Sequence, residues 1–161
     1  MIEPLALYQA EVLPEWIDYN GHMNVAYYMI AFDKATDAFL DHFGLGETYR
    51  RETNHSIFVL EAHVTFGREV KLGDRVGFTV QLIDADDKRI HLFQRMFHEE
   101  AGYQAATAEL MMLHVDLTGP RSARLPEAAL SKIGTVLAQH RQLPKPPELG
   151  RKIGIPRGFQ G

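Results

Sequence analysis

Residues 16–43 read WIDYNGHMNVAYYMIAFDKATDAFLDHF, and a change of pattern inside this stretch decides the fold. Up to Asn24 the residues are of the types that favour turns and helix caps. From Val25 onward the apolar residues recur at the spacing of one helical face. That face contains Val25, Tyr28, Met29, Phe32, Thr36, Phe39, Leu40 and Phe43. The pattern predicts a long helix from Val25, with Asn20 or Asn24 as its N-cap and Gly44 and Gly46 at its end.

Strand patterns lie on both sides of this helix. A short apolar segment, Leu5 to Val12, precedes it, and four segments of alternating polarity follow it. Those segments are 58–66, 76–82, 90–97 and 105–116, with hairpin-length links between the later ones. Residues 48–56 are interpreted as a polar connection, and Pro126 begins a short helical pattern. One helix against one face of an antiparallel sheet is an α+β layout, and covering the open edges with a second copy predicts a homodimer or a homotetramer.

Composition limits the classes of function. The 161 residues are 45% hydrophobic and 24% charged, which predicts one globular domain. The formal charge of -4 argues against a dedicated nucleic-acid binder. The absence of cysteine excludes a cysteine nucleophile and a thiolate zinc site. No segment approaches the ~18 to 20 apolar residues of a membrane span, and the N-terminus does not resemble a secretory signal, so a cytoplasmic location without membrane partners is expected.

The C-terminal segment differs from the rest. From Pro144 to Gly161 the share of proline, glycine and charge rises and no periodicity remains. We therefore expect a single domain over residues 1–143 and an extended or partly disordered tail over residues 144–161.

The loop before the helix combines groups that suit acyl transfer. Asp18 precedes the first helical turn by a few residues, with Gly21, His22 and Asn24 between them. The N–H groups of a first helical turn stabilise a developing oxyanion, while a carboxylate attacks a carbonyl carbon or activates water. Ordinary capping by Asp and Asn explains the same residue types, so both interpretations stay open on physical grounds.

Segment 16–28, WIDYNGHMNVAYY, resembles the signature of hotdog-fold acyl-CoA thioesterases of the 4-hydroxybenzoyl-CoA thioesterase type. The Leu72-Gly73-Asp74 turn and the His114-Val115-Asp116 strand end are also similar to that family. The resemblance implies a hotdog fold, in which an antiparallel sheet wraps around one long central helix, and a thioester hydrolase that needs no cofactor or metal.

The family's site residues transfer by position. Asp18 would be the nucleophile or the general base, and the backbone amides near Gly21, His22 and Met23 would polarise the thioester carbonyl. Asn24 would shape the turn, although Val25 stands where many relatives have a second asparagine. Tyr27 matches a position that packs near the acyl pocket.

A closer resemblance is to the betainyl-CoA thioesterases of carnitine degradation. It rests on segment 16–28, on FVLEAHVTF at 58–66 and on DKRIHLFQRMFH at 87–98. Their acyl group carries a trimethylammonium, which aromatic faces and carboxylates hold. The candidates for such contacts are Trp16, Tyr19, Tyr27, Tyr28, Phe66 and Glu61. The alternative for the aromatic residues is ordinary core packing.

Other candidates follow from strand alternation and charge. Glu61 and His63 share one strand face, where they support Asp18, line the pocket across a dimer interface, or are simply solvated. The histidines lack metal-ligand spacing. Basic residues available for the CoA phosphates are Arg68, Lys71, Lys88, Arg89, Arg121 and Arg124.

Alternative functions are a thioesterase for another short or aromatic acyl-CoA, a hotdog hydratase or dehydratase using Asp18 and His22, and a non-catalytic acyl-CoA-binding module.

Overall fold

The protein forms one antiparallel sheet in a computed structural model that describes residues 1–157. The long strands are β1 (Leu5–Glu11), β2 (His55–Phe66), β3 (Arg75–Ala85), β4 (Arg89–His98) and β5 (Gln104–Asp116), and a two-residue strand, β6 (Arg121–Ser122), follows. The strand order is β1-β3-β4-β5-β2, and β6 pairs with β5. The five predicted strands are therefore confirmed, while β6 is too short to have a periodicity.

Helix α1 (Val25–His42) begins where the sequence pattern changes. Its N-cap is Asn24, whose side-chain oxygen accepts a hydrogen bond from the Ala26 N–H over 2.9 Å. Asn20 is therefore not the cap. The buried face packs on the sheet, where Phe32 meets Phe78 of β3 with ring centroids 5.5 Å apart. A curled antiparallel sheet around one long helix is the predicted α+β hotdog fold.

Two clusters of buried apolar side chains hold α1 at its two ends. The first cluster contains Tyr28 and Phe32 and lies beside the start of the helix. The second contains Phe39 and Phe43 and includes residues of a C-terminal helix, α3 (Glu127–His140). Each fully buried aromatic side chain contributes roughly 1.5–3 kcal/mol through the surface it removes from water. Both ends of α1 are therefore fixed in position against the sheet.

A second helix lies where the sequence predicted a polar connection. Helix α2 (Glu47–Thr53) occupies most of that segment and ends at Asn54, which has a left-handed conformation with φ of 55°. The prediction was wrong because seven residues make only two turns, and this helix buries none of its residues completely. Such a helix lacks the apolar periodicity by which longer helices are recognised. Helix α3 is confirmed, although it extends to His140.

The edge strand β2 exposes much of its apolar surface. It pairs with β5 on one side, and the pairing register shifts between Val59 and Glu61. Phe58 is 45% exposed and Leu60 is 57% exposed. The alternation that predicted one apolar face therefore does not place these residues in the core of the protomer.

The C-terminal segment lies against the sheet without forming a helix or strand over residues 144–157. The Gln81 side chain donates to the Pro144 carbonyl oxygen over 3.3 Å, and the Gly150 N–H donates to Glu109 Oε2 over 2.8 Å. The predicted boundary between the domain, residues 1–143, and the tail stays a prediction. The last residues of the tail, 158–161, lie outside the described part of the chain. Within residues 1–157 no helix is both long enough and apolar enough to span a membrane.

Candidate active site

The loop between residues 17 and 24 closes on itself and holds Asp18 beside the start of α1. The Asp18 N–H donates to the His22 carbonyl oxygen over 3.1 Å, and the Gly21 N–H donates to the Asp18 carbonyl oxygen over 3.0 Å. Gly21 has a φ of 81°, a backbone conformation that residues other than glycine rarely adopt. The turn residues that the sequence shows here are therefore required by the geometry of the loop.

Asn24 connects the Asp18 carboxylate to the helix. Its side-chain nitrogen donates to Asp18 Oδ2 over 3.3 Å, while its side-chain oxygen caps the helix. The other carboxylate oxygen, Oδ1, accepts the Asn20 N–H over 2.8 Å. A carboxylate has about four lone-pair sites, so these two bonds leave Asp18 able to accept from a water or to approach a substrate.

Two of the amides predicted for the oxyanion already have acceptors. The Met23 N–H donates to the Val70 carbonyl oxygen over 2.9 Å, and the Gly21 N–H donates to Asp18. The Val25 N–H, at the first position of α1, has no acceptor among residues 1–157. Amides at this position have no partner inside their own helix. Val25 therefore offers a free donor in the first helical turn, where the sequence indicated oxyanion donors, and the His22 N–H of the loop likewise has no acceptor among residues 1–157.

A concavity of about 490 Å³ adjoins Asp18, and we call it the Asp18 concavity. Six residues of the predicted site line it: Asp18, Tyr19, His22, Met23, Asn24 and Phe66. Its remaining lining residues are Val25, Tyr28, Gly67, Arg68 and Glu69. The sequence indicated Tyr28 and Arg68 as candidates and Val25 as the helix start, whereas Gly67 and Glu69 were not predicted. Gly67 and Glu69 follow the end of β2, and no sequence signal shows that this connection lies against the start of α1.

Two aromatic rings form one wall of the Asp18 concavity. Tyr28 and Phe66 meet edge to face, with centroids 5.2 Å apart and an angle of 84° between their planes. Tyr28 is buried, whereas Phe66 is 51% exposed. Burial raises the pKa of the Tyr28 phenol above its ordinary value, so this side chain is neutral at physiological pH. The wall therefore presents an apolar ring surface without a charge of its own.

Charged side chains complete the rim. His22 Nε2 lies 3.6 Å from Glu69 Oε2, and both side chains are partly exposed. The Arg68 guanidinium lies over the Tyr103 ring, 3.8 Å from its centroid. The Tyr103 hydroxyl donates in turn to the Glu69 carbonyl oxygen over 2.8 Å. The β2–β3 connection is thus fixed by contacts with Tyr103 while the Glu69 carboxylate stays at the rim.

A family model described as the thioesterase-like superfamily matches residues 12–133, which include α1, four of the five long strands (β2 to β5) and the loop that holds Asp18. The chain belongs to the thioesterase-like superfamily. It is therefore a thioester hydrolase, as the sequence analysis predicted.

Curated relatives and solved structures agree with this family. The betainyl-CoA thioesterase of Pseudomonas aeruginosa is 43% identical over 156 residues, which are 97% of this thioesterase and 98% of that protein. The L-carnitine dehydrogenase/betainyl-CoA thioesterase of Rhizobium meliloti is 38% identical over 96% of this chain and 31% of its own length. A Staphylococcus aureus protein solved in complex with CoA superposes with a TM-score of 0.89 at 34% identity, covering 97% of this chain and 98% of that one. The predicted resemblance to betainyl-CoA thioesterases is confirmed.

Four predicted substrate-binding residues of this thioesterase lie outside the lining of the Asp18 concavity. Trp16 and Tyr27 stack on each other with centroids 6.0 Å apart and an angle of 18°. Both pack against the first core cluster. Glu61 and His63 line a separate depression of about 280 Å³, together with Glu109 and the tail. Strand alternation correctly placed Glu61 and His63 together, but within one protomer it does not bring them to Asp18.

Proposed function

We propose that this thioesterase hydrolyses betainyl-CoA to betaine and CoA, as a step of carnitine degradation. One observation carries the proposal: the Asp18 carboxylate is fixed beside the Val25 N–H within a concavity that also contains an aromatic wall. The identity to the Pseudomonas aeruginosa betainyl-CoA thioesterase supports the choice of acyl group. The likeness to a structure in complex with CoA supports the choice of an acyl-CoA as substrate.

The helix start supplies the electrostatic part of the mechanism. The thioester carbonyl oxygen accepts the Val25 N–H, and the positive end of the α1 dipole favours the negative charge that develops on this oxygen. Asn24 caps the helix and holds the Asp18 carboxylate through its amide. His22 lies at the rim of the same concavity, where it contacts Glu69. Gly21 and Met23 act through the shape of the loop, since their amides bond to other residues.

Asp18 acts in this mechanism either as the nucleophile or as the general base. As nucleophile it attacks the carbonyl carbon, the C–S bond breaks with loss of CoA thiolate, and water hydrolyses the resulting anhydride. As general base it takes a proton from a water that attacks the same carbon. Turnover in ¹⁸O-labelled water tests for the anhydride. Label in the peptide that contains Asp18 requires the anhydride, with water attacking the aspartyl carbon, whereas label in betaine alone results either from direct attack or from attack of water on the betainyl carbon of the anhydride.

The active form in this proposal is a homodimer joined through β2. This strand has 12 residues and lies at the edge of the sheet, where Phe58, Val59 and Leu60 are exposed. An apolar edge of this length is a template for pairing with another strand, and a second copy satisfies its hydrogen bonds symmetrically. Light scattering after size exclusion tests this: Leu60→Lys should shift the mass from a dimer towards a monomer, while an unchanged mass contradicts it. The proposal also keeps the predicted cytoplasmic location.

Thiol release from a panel of acyl-CoAs tests the proposed activity. The panel contains betainyl, acetyl, butyryl, palmitoyl and 4-hydroxybenzoyl thioesters, with crotonyl-CoA added to detect hydration. Fast release from betainyl-CoA is expected, and it should be lost in Asp18→Asn. Preference for a neutral acyl group would contradict the substrate, and water addition to crotonyl-CoA without thiol release would contradict the reaction.

A further inference from the structure

The geometry of a betainyl group restricts where its charge can bind. The quaternary nitrogen is joined to the carbonyl carbon through one methylene, as the nitrogen and carbonyl carbon of an amino acid are. The two atoms are therefore about 2.5 Å apart. When Asp18 attacks this carbon, or activates a water beside it, the ammonium must lie in the Asp18 concavity.

We propose that Glu69 and the ring of Phe66 form the site for the quaternary ammonium and give this thioesterase its preference for a cationic acyl group. This inference rests on the proposed function and assigns its specificity to two residues. A trimethylammonium cannot donate a hydrogen bond, so it is recognised by negative charge and by aromatic faces. Both kinds of group line the Asp18 concavity.

The Glu69 carboxylate is available for this role. The Nε2 of His22 lies 3.6 Å from Glu69 Oε2, beyond the length of a normal hydrogen bond. The Glu69 side chain is 56% exposed. A carboxylate that is neither buried in a tight ion pair nor far from the reacting carbon adds negative charge where the ammonium must lie. Asp18 contributes a second carboxylate to the same concavity.

The aromatic wall is also suited to the cation. Tyr28 supports Phe66 from the side at 5.2 Å with nearly perpendicular planes, so the position of the Phe66 ring is set by its buried neighbour. Phe66 itself remains about half exposed, at 51%. By contrast, the rings of Trp16 and Tyr27 stack on each other and pack on the core, so each has a face covered by the other.

The positive charge of Arg68 is directed away from this site. Arg68 also lines the Asp18 concavity, and an arginine there would repel an ammonium. Its guanidinium instead lies 3.8 Å from the centroid of the Tyr103 ring. Tyr103 does not line the Asp18 concavity but a neighbouring depression, which Arg68 and Glu69 also line. The cation–π contact therefore holds the Arg68 guanidinium against Tyr103, and Glu69 and Asp18 supply the negative charge of the Asp18 concavity.

The test compares two acyl-CoAs of the same shape. Betainyl-CoA carries a trimethylammonium, and 3,3-dimethylbutanoyl-CoA carries a neutral tert-butyl group in its place. The ratio of their kcat/KM values measures recognition of the charge alone. We expect Glu69→Gln to lower this ratio about tenfold, chiefly through KM for betainyl-CoA, since a carboxylate several ångströms from a cation has this strength at a partly exposed site. Phe66→Leu should lower it about threefold to fivefold.

Glu52→Gln provides the matched control. Glu52 is an exposed residue of α2, and its replacement changes the net charge by the same amount as Glu69→Gln. The control should keep the wild-type ratio. The proposal is overturned if Glu69→Gln leaves the ratio unchanged, including the case in which it lowers both kcat/KM values equally. Failure of the wild-type protein to hydrolyse betainyl-CoA would instead contradict the proposed function, so the two failures are distinguishable.

Discussion

Two concavities of this protein contain the same kinds of side chain. The Asp18 concavity combines Asp18 and Glu69 with His22. The second one, which we call the outer concavity, combines Glu61 and Glu109 with two histidines. In the outer concavity both carboxylate oxygens of Glu109 are occupied. Oε1 lies 2.8 Å from His91 Nε2, and Oε2 accepts the Gly150 N–H over 2.8 Å.

The difference lies in what adjoins each carboxylate. Asp18 accepts one bond from its own loop and one longer bond from Asn24, and it adjoins a helix N-terminus. Glu109 instead lies in the middle of β5, where it holds the tail against the sheet. A carboxylate next to a histidine is thus not evidence of catalysis by itself. Each carboxylate thus makes two such contacts, and the adjacent free amide donor at the start of α1 distinguishes Asp18 from Glu109.

The largest expected effect separates the two carboxylates directly. Asp18→Asn should lower kcat for thioester hydrolysis by about 10³-fold, because an amide is neither a nucleophile nor a base of useful strength. The same isosteric change in the outer concavity, Glu109→Gln, should leave kcat within about threefold of wild type. Both rates are measured by thiol release, with circular dichroism as the check on folding. Equal losses of kcat in the two variants would contradict the assignment of the reaction to Asp18 rather than Glu109.

Asn24 tests whether helix capping and carboxylate orientation are separate. Asn24→Ala should lower kcat about tenfold to a hundredfold and should reduce the free energy of unfolding by about 1 kcal/mol, the usual cost of losing a cap. Asn24→Ser keeps a capping oxygen but lacks the amide donor to Asp18. It should restore stability in urea unfolding without restoring kcat. If Asn24→Ser recovered full activity, the bond from Asn24 to Asp18 would have no catalytic importance.

In the outer concavity, Glu109 should affect the tail more than the reaction. Glu109→Ala removes the acceptor of the Gly150 N–H and leaves His91 without its carboxylate, a change that costs about 1–2 kcal/mol locally. Trypsin should then cleave after Arg151 or Lys152 several times faster. The cleavage rate is followed by mass spectrometry at constant protease. Gln104→Ala, which removes a 2.8 Å bond to Glu148, should have a similar but smaller effect.

Acid stability should depend on a histidine outside both concavities. Burial lowers the pKa of His140 below its ordinary value of 6.5, and His140 Nδ1 accepts the Leu82 N–H over 2.9 Å. A histidine with a lowered folded pKa stabilises the fold above the unfolded pKa, and this contribution is lost as the pH falls below about 6.5. Urea unfolding at pH 7.5 and pH 5.5 should therefore show a smaller decrease for His140→Gln than for wild type. Identical decreases would assign the acid sensitivity to other groups.

Local pattern was sufficient for the helix start and for the position of Asp18. The periodicity beginning at Val25 and the capping residue before it are both properties of adjacent residues. The same pattern predicted the first-turn N–H groups as oxyanion donors, but the acceptor of the Met23 N–H was not predictable in this way. The Met23 N–H donates to the carbonyl oxygen of Val70, which is 47 positions further along the chain, and this partner is in place only after the sheet has formed.

Strand alternation had a similar limit. It correctly grouped Glu61 with His63, because residues two apart share a face. Which loop that face meets depends on the order of strands in the sheet, and β2 lies at its edge. Glu69 was missed for the same reason, since a connection between strands has no periodicity. Its place beside Asp18 results from the tertiary fold.

Helix α1 passes from one core cluster to the other, and the loop that holds Asp18 leads directly into its first residue. Since Tyr28 and Phe32 are held by the first cluster and Phe39 by the second, the helix start cannot loosen while the rest of the molecule stays folded. Heat should therefore inactivate the enzyme in a single cooperative step, with the loss of thiol release and the loss of helical circular dichroism at the same temperature.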